Sequence, residues 1–323
     1  MKWTVETIQN IIKEKIPEGS VFPQHTEKGH FYGVKSTAFS TPEDAPFPSV
    51  TGKLQILKDE SIINFKMNQA IGYVFKHWPE FTEANVMQHL DMAEKQSADI
   101  FEDAGDIGTK IHDARHAYFM EWMKTGARPA EAINFISADV LQDVRAISAM
   151  RALEKFVIEN DYRPAASELM LYNEKLAVGG TLDDLGIMRR VIVFGKDQFK
   201  NEHEHELLEN DITNVVYCLR CEYKFRNDFV LMDIKTSNQF KDHYFFQVAL
   251  YYWMFFKLAR IRPERCFILK LSKRDGTYKI EDLKRPGMLA SYARSMIRTD
   301  QGLDYVRSLR KDNQRVVGEI INV

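Results

Sequence analysis

Apolar and polar positions alternate along this chain in two regimes. From Val5 to Lys15 the apolar residues recur at helical spacing, and the same period predicts helices over Ile62 to Phe75, Glu83 to Gln96 and Ala104 to Lys124. A further helical stretch runs from about Pro129 to Asn160, with Pro129 suited to a first turn. In this half only Gly29 to Thr37 reads as a short strand, ahead of a Pro-rich loop around Pro42 to Pro48. From Arg163 strand signals dominate: Ala166 to Leu171, Gly180 to Val193, Ile212 to Arg226, Phe229 to Ser237 and Cys266 to Leu271. Asn227-Asp228, between two β-rich runs, reads as a tight hairpin. Tyr244 to Leu258 has helical length and a broad apolar face, which predicts burial against a sheet, and a last helix fills Leu289 to Arg310. The pattern implies a mostly helical N-terminal half, 1–160, and an α/β half, 161–323, integrated in one domain; no repeat, low-complexity tract or Gly/Ser linker marks a cut.

Composition changes this picture little. A chain of 323 residues with 45% hydrophobic content can bury a substantial core. The net charge of -2 conceals a gradient: Arg260 to Arg315 holds fifteen Lys or Arg against seven Asp or Glu, whereas Glu80 to Asp106 holds eight acids and one base, Lys95. Such runs are either solvated helix faces or partner surfaces. Three cysteines form no disulfide framework and suit a reducing compartment. Met1-Lys2-Trp3-Thr4-Val5-Glu6 contains no apolar signal core, and no stretch approaches the roughly 20 apolar residues of a membrane span, so a cytosolic protein is expected.

The chemistry concentrates on two strand-like segments, Gly180-Thr181-Leu182-Asp183 and Leu231-Met232-Asp233-Ile234-Lys235-Thr236-Ser237. Side chains two apart on a strand share a face, so Asp233 and Lys235 point one way while Met232 and Ile234 point into a core. If Asp183 lies on a neighbouring strand, two carboxylates and an ammonium converge. That set suits an oxygen-preferring divalent ion and a phosphate. Asp184 could share the role of Asp183. Glu168, on the preceding strand, either points into the same cleft or is an exposed acid. Gln247 and Tyr251, four apart, share a helix face.

With Pro48-Ser49-Val50-Thr51, the helix Ile62-Ile63-Asn64-Phe65, Gly108-Thr109-Lys110-Ile111-His112, Glu168 and Gln247-x-x-x-Tyr251 in order around these strands, the chain resembles the PD-(D/E)XK nuclease superfamily. The likeness is to RecB-type domains and to phage and mitochondrial genome-maintenance exonucleases; Phe65 stands where that family often has tryptophan. The resemblance implies an α/β restriction-endonuclease-like core, a central mixed β-sheet flanked by helices, carrying the helical N-terminal half. It implies Asp183, Asp233 and His112 as ligands of one or two Mg²⁺ or Mn²⁺ ions. Lys235 would align the attacking water, Glu168 would hold a second metal or a water, and Gln247 would help hold the lysine or the phosphate. Tyr251, Thr236, Ser237, Lys270, Lys273 and Arg274 would face substrate, and Lys284 and Arg285 would extend the basic track. His116 reads as structural. The implied activity is hydrolysis of DNA, single- or double-stranded, from a free end and with little sequence specificity, in recombination, repair or degradation within the cytoplasm of a bacterial or phage-infected cell. A structure-selective or restriction-like endonuclease on the same site and a non-catalytic DNA-binding protein are the alternatives.

The chain departs from that family in one place. Fifty positions separate Asp183 from Asp233, which are usually close, and the extra segment of about 195–227 contains His203, His205, Cys218 and Cys221. Zinc would accept these four, but Val215 to Phe225 reads as strand, where residues three apart face opposite sides. An extended hairpin or loop over the cleft is expected instead. Three cysteines do not support a four-thiolate iron-sulfur cluster.

Overall fold

In a computed structural model the described residues are 2–26, 29–34, 47–54, 60–193, 206–210, 213–237 and 240–302. Their centre is a mixed sheet in the order β10-β9-β8-β5-β4. Its strands are β4 (Arg163–Asn173), β5 (Val178–Val193), β8 (Lys224–Lys235), β9 (Arg265–Leu271) and β10 (Tyr278–Asp282). Only β8 and β9 run parallel, and α6 (Asp242–Ala259) makes the crossover that parallel neighbours require. β6 (Leu207–Glu209) and β7 (Val215–Cys218) form a hairpin on the first residues of β8.

Helices cover both faces. One core joins α1 (Val5–Lys15), α6 and a last helix, α7, over 286–302, to Phe229, Leu231 and Ile268 of the sheet. The other joins the second half of α4 (Val86–Thr125) and α5 (Val144–Glu159) to Val230, Met232, Ile234 and Leu269. β8 is therefore buried on both faces, and its run from Phe229 to Met232 is accordingly apolar at every position.

A second, small sheet of β1 (Val21–Thr26), β2 (Gly29–Val34) and β3 (Phe47–Pro48) adds strands to the N-terminal half. It leads into α2 (Val50–Lys53), capped by Ser49, whose hydroxyl accepts from Gly52 N at 2.9 Å. Ser49 also bridges Gly179, which is how the Pro-Ser-Val-Thr segment meets β5. A side chain on Gly179 would collide with Tyr32 and one on Gly180 with Tyr251, at 2.5 and 2.6 Å from an added Cβ. The paired glycines thus let two tyrosines lie against β5.

Several expectations need correction. Asn227 and Asp228 do not turn; they lie inside β8, opposite Arg189 and Met188. Their polar groups are satisfied there, because Arg189 Nε donates to Asn227 at 3.2 Å and Arg190 Nε to Asp228 at 2.9 Å, with Arg226 on the other oxygen. The helices expected over 83–96 and 104–124 are one, α4, since nothing from Ser97 to Asp103 breaks it. The stretch from Pro129 divides into two 3-10 turns, Ala132–Phe135 and Ala138–Val140, before α5 begins at its Asp143 cap, which accepts from Arg145 N at 2.8 Å. The strand expected over 212–226 is interrupted after Cys218 by a turn, and residue 212 lies outside the described residues, as do most of the Pro-rich loop and the end of the last helix.

α3 (Glu60–His77) pairs with the first half of α4 as a helical hairpin. All eight acids between Glu80 and Asp106 are exposed there, so that run is a solvated surface. Among the described residues no helix is long and apolar enough to cross a membrane.

Candidate metal centre

The site forms where α4 meets the middle of β4 and β5 and the C-terminal end of β8. Asp184 pairs with Met232 in the β5–β8 ladder, which sets Asp183 one step further, beside Asp233. Asp183 is held there because its Oδ2 accepts from Ile234 N at 2.6 Å. From α4, His112 reaches the same point: its Nδ1 lies 3.8 Å from Asp183 Oδ2, and its ring also bonds to the Ile234 backbone. Ligand atoms of His112, Glu168 and Asp183 all lie within 4.8 Å of one another. Among the described residues this is where three such groups meet.

Glu168 reaches the cluster in an unusual way. It falls between Ser167, paired with Asp184, and Leu169, paired with Leu182, and has φ 53, a left-handed backbone in the middle of a strand. For a non-glycine residue this conformation costs about 1–3 kcal/mol and persists only when its surroundings over-determine it. The surroundings here include Arg115, whose guanidinium forms short ion pairs with Glu168 through one nitrogen and Asp184 through the other. Arg115 and Asp184 are both 0% exposed.

Lys235 Nζ stands 2.6 Å from Asp233 Oδ2 and over the ring of Tyr244, 5.1 Å from its centroid. Asp233 is fully buried, its Oδ2 ion-paired with Lys235 and its Oδ1 without a hydrogen-bond partner. A buried carboxylate in that condition is costly unless a further cation satisfies it. A buried carboxylate with one oxygen unpartnered, beside a His, a Glu and a second Asp, is a donor set that fits a divalent ion, the imidazole inclining it toward Mn²⁺.

The titration of these groups follows from burial and charge. Burial pushes Asp233 up to about 7 against the pull of Lys235, with Asp183 adding to the rise. Burial likewise pushes Glu168 up to about 7, opposed by Arg115. Asp183 moves the other way: burial would raise it, but His112, Arg115, Lys235 and the Ile234 N–H together hold it below the usual carboxylate range. His112 falls to about 4, because burial outweighs the attraction of Asp183, so its ring is neutral and able to ligate at neutral pH. Lys235 is raised; burial opposes its charge, but Asp233 and Asp183 prevail.

Other expected site residues fall in graded positions. Gln247 and Tyr251 of α6 are buried against β5, with Gln247 Nε2 donating to Tyr251 Oη at 3.2 Å. Thr236 meets α4, where a Cβ on Gly108 would lie 3.3 Å from its hydroxyl, and Ser237 accepts from Tyr244 Oη at 3.3 Å. Lys270 stands opposite Lys235 in the β8–β9 ladder, over the ring of Phe240. Lys273 bends to the Ala104 carbonyl at 3.5 Å, and Arg274 is exposed in the following turn. Lys284 and Arg285 are misplaced for a track beside the site: Asp282 pairs with Phe267, so both lie past the opposite end of the sheet. His116 is structural, bonded through Nδ1 to Ser167 Oγ at 3.0 Å. His203 and His205 lie outside the described residues, while Cys218 belongs to an apolar cluster with Val216 and Phe225, flanked by Cys221.

Arg115 escaped the sequence reading, although a signal for it exists. It follows Ile111 by four positions and precedes Tyr118 by three, so it is a charge on the apolar stripe of a helix and must find a buried partner.

No family model matches the chain, and no curated protein matches it. Among solved structures, one titled "Crystal structure of SSO0001" is similar at 12% identity and a TM-score of 0.25, over 60% of this chain and 73% of that one.

Proposed function

We propose that this protein is a metal-dependent deoxyribonuclease of the PD-(D/E)XK type that degrades DNA from its ends. The observation that carries the reading is the His112–Glu168–Asp183 cluster, whose ligand atoms lie within 4.8 Å of one another, together with the buried Asp233 and its ion-pair partner Lys235. His112, Glu168, Asp183 and Asp233 would hold Mg²⁺ or Mn²⁺. A divalent ion there supplies Lewis-acid polarisation of a phosphoryl oxygen.

The chain's own residues do the rest. Lys235 keeps its charge beside the carboxylates and orients a water or offsets charge that grows on the phosphate. Tyr244 limits where its ammonium can go, and the Gln247–Tyr251 pair braces β5 beside the acids. Lys270, with Lys273 and Arg274 beyond it, offers charge to a phosphate backbone, and backbone contacts carry no base information, which favours cleavage without sequence preference. A buried lysine paired with one of the acids argues against glycoside chemistry, which needs two carboxylates alone.

The test is digestion of end-labelled linear DNA beside covalently closed circles in Mg²⁺, Mn²⁺ or EDTA, with wild type and Asp233→Ala. Metal-dependent loss of the linear DNA only, absent in the variant, is expected. Cutting of the circle would replace the exonuclease with an endonuclease on the same site. No cleavage of either substrate under any metal would remove the catalytic reading.

A further inference from the structure

We propose that Arg115 is a positioning residue for the metal centre: it holds Glu168 beside His112 and Asp183, and its buried charge fits the site to one divalent ion. The inference rests on the metal-site reading above and goes beyond it.

Three observations lead there. Arg115 is wholly buried, and its fork is divided between Asp184, wholly buried on the far face of β5, and Glu168, at the mouth of the cluster. Glu168 is the one ligand candidate whose backbone is left-handed, so its carboxylate needs an anchor to stay on the cluster. Arginine is suited to this task, because a planar fork fixes two carboxylates at once in a way that a lysine cannot. The charge count gives the third. Once a divalent ion holds Glu168, Asp183, Asp184 and Asp233 in their ionised forms, these four charges set against Arg115 and Lys235 leave two negative charges, which that one ion balances. A second ion would leave the centre strongly positive before any phosphate arrived.

The experiment is a calorimetric titration of the EDTA-stripped full chain with Mn²⁺, with bound ions counted independently by electron paramagnetic resonance. Wild type is expected to bind one ion per chain; two ions of similar affinity would overturn the proposal. Removing Arg115 alone would strand Asp184, so the informative variant is Arg115→Gln with Asp184→Asn, which withdraws the buried pair together. Its Mn²⁺ affinity should fall about 10–100-fold, the usual cost of losing a group that orients a ligand. Glu168→Gln, which keeps the Arg115–Asp184 pair, should weaken Mn²⁺ binding as well. A folded double variant, or Glu168→Gln, that binds Mn²⁺ as tightly as wild type would sink the positioning role while leaving the metal site standing. Absence of Mn²⁺ binding in wild type would instead defeat the metal reading itself. Should the double variant not fold, wild-type stoichiometry and Glu168→Gln still decide.

Discussion

The two halves of α4 are one continuous helix with opposite fates. In the first, Met87, Leu90 and Met92 remain 66%, 44% and 44% exposed; among the described residues its main helical neighbour is α3, which leaves its own Phe75 at 77%. In the second, Ile107, Ile111, Ala114, Tyr118 and Phe119 are all buried against α5 and the sheet. Charge divides in the same way. The acids of the first half stand in water, whereas the second half carries Arg115 in full burial and His112 at the mouth of the site. A helix does not choose its buried face by its own period alone; the neighbours choose, and where they bury a charge they must also supply its partner.

The contrast can be broken most severely at Arg115. Arg115→Leu should cost about 3–5 kcal/mol in urea unfolding, because Asp184 is left buried without its cation. Lys95→Leu, a matched change in the exposed half, should stay within about 0.5 kcal/mol. Equal effects would show that the two halves are not differently supported. Next in size, Ile111→Ala should lose about 2–5 kcal/mol by opening a cavity in the core. Leu90→Ala, already half in water, should lose about 1 kcal/mol or less.

A smaller effect separates the halves by pH. In metal-free protein Asp233 and Glu168 titrate near 7, above ordinary carboxylate values of 3.8 and 4.5, so the folded state binds more protons than the unfolded one. Their contribution is complete below the ordinary range and is lost as pH rises through about 7. His112, depressed from 6.5 to about 4, acts oppositely: its contribution is full above 6.5 and is lost as pH falls through about 4. The clean window is therefore above 6.5, where the Tm of EDTA-treated protein should fall toward about pH 8 and Mn²⁺ should restore it. A Tm that rises or stays level across that window would contradict the assigned environments. Asp233→Asn should flatten the profile.

The second half of α4 was also the more legible in sequence. His112 stands out in sequence because it sits in an ordered set of short motifs, and Asp183, Asp233 and Lys235 because the two-residue period of a strand assigns faces from neighbouring apolar residues. The same rule understated the burial of Asp233. It assigns Met232 and Ile234 to a core but does not say that α6 closes the other face as well. Arg115 and the left-handed turn at Glu168 were out of reach for a related reason, since each depends on a residue distant in the chain. Asn227-Asp228 shows the converse. Local turn chemistry predicts a hairpin there, but both residues lie inside β8, where three arginines from the strands satisfy their side chains. Nothing local in the first half of α4 says that its apolar residues go uncovered.

The finest test uses two glycines three positions apart on this helix, at the boundary between its halves. A Cβ on Gly105 would meet nothing within 4 Å, whereas one on Gly108 would press Thr236 Oγ1 at 3.3 Å. Glycine in a helix interior is unfavourable by about 1 kcal/mol relative to alanine, so Gly105→Ala should stabilise the protein by roughly that amount and leave Mn²⁺ binding unchanged. Gly108→Ala gains the same propensity but must displace the residue that follows Lys235. Its net stability change should be smaller, and DNA cleavage should drop while Gly105→Ala retains it. If both variants cleave at the wild-type rate, the close approach of α4 to the end of β8 has no part in aligning Lys235, and the helix would serve the site through His112 and Arg115 alone.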